Sequence, residues 1–419
     1  MGAFDYKVNY DTAPVGSVIQ SPINLETVTN GKWIALDGRD CNRGAYPELS
    51  PYFPAGVFTS TARTLNTTPQ GSVIAADSTN FACLSALTGT QCVQASADGI
   101  TWTGNGGFSG AFPTGVSSLI VAGSRWVLAS TTGALAVIAT GGTAASFVNG
   151  ANWTVCTGFT TGTTLTQGLA YGSTANAGAG RTVVCKNGAD TTANSLFYMN
   201  DGATAWNACS GGSTKDRKSS CWTGQRFMAF AIDGTYQYST DGATFVDAFL
   251  PVFGTGASAY GYSCASDGNG TVVITGTGVN AAYGMPILVS KDHGVTWRSV
   301  VVYVPFTPST TAPAASFVNG RFVLSPTLTG ADWMLMSSDG YGWQLDSVSF
   351  RGAGVSVFAN GAIAYKAGTY CGIISGSTSA ATWTEDMSKF KIQSGIAPRS
   401  GTTNYTGDQF QLYIKVRSN

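Results

Sequence analysis

The sequence predicts an all-β protein, and three observations carry this. Glycine occupies 54 of 419 positions, spread among Ser, Thr, Ala and Asn, as many tight turns between short strands require. Helix formers are scarce, with glutamate only at Glu26, Glu48 and Glu385. Through the middle of the chain, two short motifs recur in step with each other, the mark of a repeat architecture.

The first motif is a polar turn closed by an aromatic residue. Ser96-Ala97-Asp98-Gly99-Ile100-Thr101-Trp102 recurs as Ser239-Thr240-Asp241-Gly242-Ala243-Thr244-Phe245. Further copies end at Trp297, with Asp292, and at Trp343, with Asp339. Asp201 precedes Trp206 with one extra residue between, Asn149 replaces Asp before Trp153, and the copy ending at Trp383 has no Asp. The seven aromatics are spaced by 51, 53, 39, 52, 46 and 40 residues, which suits one four-stranded sheet per repeat.

The second motif, a turn leading into an apolar strand, precedes each copy. Examples are Asn319-Gly320-Arg321-Phe322-Val323-Leu324 and Gly224-Gln225-Arg226-Phe227-Met228-Ala229. In the aromatic-closed turns, Asp accepts bonds from backbone N–H groups just ahead. Gly supplies positive φ, and the aromatic covers its own turn. The Asp residues are therefore read as structural, not as metal ligands or catalytic acids.

These motifs resemble the Asp-box, or bacterial neuraminidase, repeat over residues 72 to 386. The resemblance implies a seven-bladed β-propeller, with each box between the third and fourth strands of its blade. On that topology the tight turns share one face. The long connections, near 157–167, 186–194, 210–219, 276–284 and 303–313, share the other. These are rich in small polar residues and suit adaptable contact, with Tyr260, Tyr262, Tyr283 and Tyr303 as candidate surface-binding anchors. The chain is expected to enter on a first strand and leave on a fourth, which would set the flanking segments beside the long loops.

The ends lack the repeat. Trp33-Ile34-Ala35-Leu36 reads as a strand stopped by Asp37-Gly38, and Tyr46-Pro47-Glu48-Leu49 as a short helical start. Phe410 to Val416 reads as a closing strand. Trp33, Asp37-Gly38, Arg43, Tyr46-Pro47, Leu49 and Tyr413-Ile414-Lys415 resemble the phage tail-collar family, although Leu36 stands where that family often has Cys. The expected organisation is an arm at 1–15, collar-like halves at 16–60 and 393–419, and the propeller at 61–392. The propeller is thus inserted into a small split α+β domain.

Composition narrows the function. Charged residues make up 11% with zero net charge, so no basic stripe for nucleic acid is expected. No apolar run reaches the ~20 residues of a membrane span, and the start lacks a signal-peptide pattern. Nine scattered cysteines without a CxxC give no zinc site. Most read as reduced, buried hydrophobes, and Cys83 and Cys92 are a pair that could face each other across adjacent strands. No metal or cofactor is expected.

Sialidases, which share Asp boxes, use Tyr, Glu, Asp and several Arg residues. Here Glu385 is the only glutamate in the repeat region, and Arg125, Arg181, Arg226 and Arg321 sit at strand starts, where solvent would hold them. His293, the only histidine, lies within a box. The resemblances imply a non-enzymatic virion tail protein, assembled in the host cytoplasm. Its expected partners are other tail proteins and a host surface glycan or receptor, in a homo-oligomer, by analogy a trimer. The alternatives are a sialidase-like propeller enzyme and a lectin-like surface protein.

Overall fold

The computed structural model describes residues 15, 18–21, 25, 30–35, 39–50, 57–64, 69–77, 79–85, 93–97, 101–104, 116–130, 135–158, 168–185, 196–213, 215, 217–231, 233–251, 260–276, 285–302, 313–318, 320–325, 333–347, 354–359, 362–367, 379–386, 388–391 and 411–415. Two compact units divide the chain, Met1–Thr59 with Thr384–Asn419, and Ser60–Trp383.

In the larger unit, six sheets are each built from four strands consecutive in the chain. The first holds β5 (Pro69–Ala76), β6 (Phe81–Ser85), β7 (Val93–Ser96) and β8 (Thr103–Gly104). The second holds β9 (Val116–Ala122), β10 (Arg125–Ser130), β11 (Leu135–Ala139) and β12 (Thr154–Val155). Next come β13 (Leu169–Asn176), β14 (Ala179–Cys185), β15 (Leu196–Asn200) and β16 (Asn207–Ala208). The fourth has β17 (Arg217–Trp222), β18 (Phe227–Ala231), β19 (Thr235–Ser239) and β20 (Val246–Phe249). The fifth has β21 (Tyr260–Ser266), β22 (Val272–Gly276), β23 (Met285–Ser290) and β24 (Arg298–Val302). The sixth has β25 (Ala314–Val318), β26 (Arg321–Ser325), β27 (Trp333–Ser337) and β28 (Gln344–Ser347).

The expectation of seven blades, each completed within its own repeat, is corrected to six. The last repeat supplies only β29 (Gly354–Ala359), β30 (Ala362–Ala367) and β31 (Ser379–Asp386). Its four-stranded sheet takes its outer strand from β4 (Val57–Thr64), a segment that straddles the expected boundary between collar-like half and propeller at residue 60. First strands of successive sheets pack side by side, and β29 also packs against β5. This is an all-β propeller.

The composite sheet changes how the chain enters and leaves. It enters in the fourth position, on β4, and leaves in the third, on β31. The reason for expecting the flanking segments beside the long loops is therefore gone.

Burial explains the second motif. Its apolar strands are the second of each sheet, and β18 and β22 are buried at every residue. Neighbouring sheets cover both faces, so the strand is apolar throughout instead of alternating. A fully buried Phe or Met here contributes about 1.5–3 kcal/mol relative to exposure.

In the smaller unit, β33 (Gln411–Lys415) lies between β1 (Val18–Ser21) and β2 (Trp33–Ala35). A second ladder joins β3 (Asp40–Asn42) to β32 (Lys389–Lys391). Asn30 and Gly31, at φ 52° and 76°, turn the chain into β2. Leu25, Trp33, Ile34, Cys41 and Leu49 are buried. The expected helical start at Tyr46 is one turn, closed by the Ser50 N–H on the Tyr46 carbonyl. Arg43 Nη1 donates to the Ser50 carbonyl at 3.1 Å and to its Oγ at 2.8 Å.

Candidate interaction surface and the joints that build it

In three sheets the third strand ends on a buried serine that organises the turn. Oγ of Ser239, Ser290 and Ser337 donates to Oδ1 of Asp241, Asp292 and Asp339 at 2.8, 2.8 and 3.1 Å. Each Oγ also accepts from the following glycine N–H, of Gly242, Gly294 or Gly340, at 2.8 Å. The Asp oxygen then accepts two backbone N–H bonds ahead, from Ala243 and Thr244, Val295 and Thr296, or Tyr341 and Gly342. Partial burial alone raises these carboxyl pKa values. The donated bonds outweigh it, and all three are held below the usual carboxylate range.

Two copies depart from this pattern. Asn149 Oδ1 accepts from Ala151 N–H at 3.1 Å, capping a 3-10 turn that follows α1 (Ala144–Phe147). The Asp201 carboxylate instead accepts the Tyr171 hydroxyl at 2.7 Å. Burial, then this bond, pushes the Tyr171 phenol up to about 12. Asp98 lies outside the described residues. Trp383 falls inside β31, where its side chain is not described.

The aromatics do more than cover their own turns, and this corrects the local reading. Each one described in an apolar cluster packs back onto the preceding sheet. Trp153 joins Ala75, Ala82, Val93 and Ala95 of the first sheet. Trp206 lies with Val127, Ala129 and Val137, and Phe245 with Val183, Cys185 and Leu196. The Trp297 ring meets Phe230 and Tyr236 at centroid distances of 6.0 and 6.1 Å. Trp343 packs on the cluster holding Val273, Ile287 and Val289. Trp102 is also buried.

Backbone bonds lock the same joints. After β12, Thr157 N–H donates to the Thr204 carbonyl at 2.9 Å, and its own carbonyl accepts from Trp206 N–H at 2.8 Å. After β16, Ser210 makes the same pair with Ala243 and Phe245, both at 2.8 Å. Both segments read Cys-(Thr/Ser)-Gly, Cys156-Thr157-Gly158 and Cys209-Ser210-Gly211. A Cβ at Gly158 would lie 2.2 Å from the Trp206 carbonyl oxygen, and one at Gly211 2.4 Å from that of Phe245. This short repeat was present in the sequence and was not recognised there.

The turn between first and second strands supplies a third contact, again to the next sheet. Asn80 Nδ2 donates to the Gly142 carbonyl at 2.7 Å. Arg125 donates to the carbonyls of Ala203, at 2.5 Å, and Asn200, at 3.3 Å. Arg181, almost fully buried, donates to Asn200 Oδ1 at 2.8 Å and to the Asp241 carbonyl, and stacks over Tyr198. Arg125 and Arg181 are thus not solvated strand starts. His293, at φ 60°, places Nδ1 3.0 Å from the Thr223 carbonyl and 3.2 Å from its Oγ1, within another such joint.

Of the five long connections, only 210–219 lies largely within the described residues. Arg217, fully buried, anchors it by donating to Gln237 Oε1 at 3.2 Å, Thr235 Oγ1 at 3.3 Å and the Ser213 carbonyl at 3.4 Å. Asp247 lies 3.8 Å away, and its Oδ1 accepts from Gln237, Ser213 N–H and Ser213 Oγ. Lys215 pairs with Asp233 at 2.8 Å. Burial alone would raise the Asp233 carboxyl, but bonds from Lys215 and Thr235 hold it at about 2.

Beside this polar frame stands the most exposed large apolar side chain among the described residues. Phe249 is 77% exposed on the outer strand β20 and is the register partner of Thr235. Val246, on the same strand, is half exposed. An aromatic held out on an edge strand within a charged rim has the chemistry of a contact site. Composition and motif spacing did not mark it. Of the expected anchors, Tyr260 and Tyr262 lie in β21, a first strand, with side chains not described, and Tyr283 and Tyr303 lie outside the described residues. Glu385 lies in β31. Among the described residues, no group of three His, Cys, Asp or Glu could hold a metal, and no helix is long and apolar enough to cross a membrane.

No protein-family model and no curated protein matches the chain. Solved structures do. A chain from the crystal structure of the mitotic checkpoint complex is similar at TM-score 0.51 and 9% identity, covering 78% of this chain and 93% of that one. YCF48 bound to D1 peptide gives TM-score 0.49 and 13% identity, over 80% and 100% of the two chains. YCF48 from Cyanidioschyzon merolae gives 0.40 and 10%, over 66% and 81%. At such identity, the likeness to the checkpoint-complex chain is one of propeller fold alone.

Proposed function

We propose that this chain is a bacteriophage virion tail protein that attaches without catalysing a reaction. In this reading a tail-collar-like unit carries an Asp-box propeller. The observation that carries the reading is the pairing of the two segments bearing the collar-like residues. Trp33 lies opposite Lys415, and Ala35 opposite Tyr413, although the whole repeat separates them in sequence. Arg43 bonding across the Tyr46–Ser50 turn gives further support.

The collar-like unit would face other tail proteins or further copies of the chain, in a trimer by analogy with tail fibres. The propeller would present Phe249 and the 210–217 frame to a receptor or glycan on the host surface. Engagement of Arg125 and Arg181 in the joints favours this over sialidase-like chemistry, which would need arginines aimed at a substrate carboxylate. Quantitative mass spectrometry of purified particles tests the reading. A fixed copy number alongside other tail proteins is expected, and absence from particles present in the lysate would overturn it.

A further inference from the structure

The fourth and fifth sheets meet through their first strands, β17 and β21, which pack side by side but pair only within their own sheets. Near the far end of each stands a cysteine, Cys221 on β17 and Cys264 on β21. Both thiols are unoxidised and pack into one apolar cluster with Met228, Phe230, Val272 and Ile274. Cys264 packs against the cluster of which Cys221 is a buried member. Cys221 is buried and Cys264 half-buried. The other described buried thiols of this unit have different partners. Cys156 faces the Met199 sulfur, Cys185 the Ser219 carbonyl and Cys209 the Gly242 carbonyl.

We propose that Cys221 and Cys264 form a reversible disulfide that staples the fourth sheet to the fifth when the protein meets a peroxide oxidant. Exposure makes Cys264 the first to react, since the neighbouring Cys264 thiol and then burial hold the Cys221 thiol well above its ordinary value. The Cys264 thiolate attacks one peroxide oxygen, the O–O bond breaks, and hydroxide leaves, giving a sulfenic acid. Cys221 then attacks that sulfur, and the S–O bond breaks as the S–S bond forms. The thiol protons leave with the two oxygens, so that two thiols and one hydrogen peroxide give one disulfide and two waters. The bond would reinforce a boundary that no backbone ladder crosses.

The test uses the full chain, purified reduced and treated with a small excess of hydrogen peroxide. Peptide mapping without reductant is expected to recover the Cys221 and Cys264 peptides as one species, two hydrogens lighter than their sum. Thermal stability should rise by about 5 °C, as for a disulfide closing a loop of this length, and return with dithiothreitol. Cys264→Ser should abolish both effects. Recovery of both cysteines as alkylatable thiols, or of Cys264 as sulfinic acid beside free Cys221, would overturn the proposal. The mapping needs no variant, so a poorly folding substitution cannot obscure the result.

Discussion

Arg181, at the start of β14, donates to the backbone carbonyl of Asp241, in the closing turn of the neighbouring sheet. Its guanidinium is buried there, bonded also to Asn200 and stacked on Tyr198. The same relation recurs one sheet earlier, where Arg125 reaches Asn200 and Ala203. The turn that closes one blade is therefore held by the blade before it, and the ring is built from these joints.

Arg181→Ala should destabilise the protein by about 2–3 kcal/mol, as expected for losing charge-assisted bonds and leaving a buried carbonyl with fewer donors. Arg181→Lys should recover only part, because a single ammonium cannot serve both acceptors and the ring. Urea denaturation followed by tryptophan fluorescence measures both.

Two glycines with similar backbone angles should respond differently to alanine. Gly158, at φ 83°, sits against the Trp206 carbonyl, whereas Gly178, at φ 92°, has open space where a Cβ would stand. Gly178→Ala should cost about 1–2 kcal/mol, the left-handed penalty alone. Gly158→Ala should cost clearly more, because the joint must also open. Equal losses in thermal unfolding would show that the Thr157 clamp is not formed.

Truncating Trp297 should cost about 2–4 kcal/mol, toward the lower part of the large-aromatic range because the ring is only part-buried. Asp339→Ala should cost about 1–2 kcal/mol, from turn bonds made at a partly solvated site. Thermal unfolding of the two variants under one set of conditions gives the comparison.

Acid should loosen the joints. Asp77, Asp233, Asp241, Asp247, Asp292 and Asp339 all have folded pKa values below the ordinary one, Asp233 at about 2. Burial opposes each shift, and bonds from neighbouring N–H, O–H and cationic groups outweigh it. A depressed carboxyl contributes stability in full above its unfolded value, near 3.9, and loses it as pH falls through the folded one. Stability should thus hold down to about pH 4 and fall between about pH 4 and 2. Asp292→Asn should flatten that fall, which urea midpoints at stepped pH will show.

Much of the fold was legible because turn chemistry and apolar runs are local. Asn319-Gly320 before Phe322 and Asp339-Gly340 before Trp343 announce a second strand and a closing turn wherever they occur. The strands β2 and β33 were legible for the same reason. What a sequence does not state is which neighbour a side chain meets. Trp206 looks alike whether it covers its own turn or crosses to Val127, and Arg181 looks like any surface arginine until the next sheet covers it. Strand β4 was hidden because its partners, β29 to β31, lie near the other end of the chain. Phe249 was hidden for the opposite reason, since a lone aromatic ending a strand normally signals core.

Phe249→Ser bears on the proposed attachment role. With the side chain 77% exposed, the change should leave thermal stability within about 0.5 kcal/mol of the parent. Particles carrying it should adsorb to host cells about tenfold or more slowly if this residue is a central contact. Unchanged adsorption would remove Phe249 from the contact surface.

The joints themselves can be observed through the amide protons of Trp206 and Phe245, which donate across the sheet boundary to Thr157 and Ser210. Hydrogen exchange resolved to single residues should find both as slow as amides in the buried strands β18 and β22. Exchange at the rate of an open turn would mean that each blade closes on itself, and the interlocked ring would have to be abandoned.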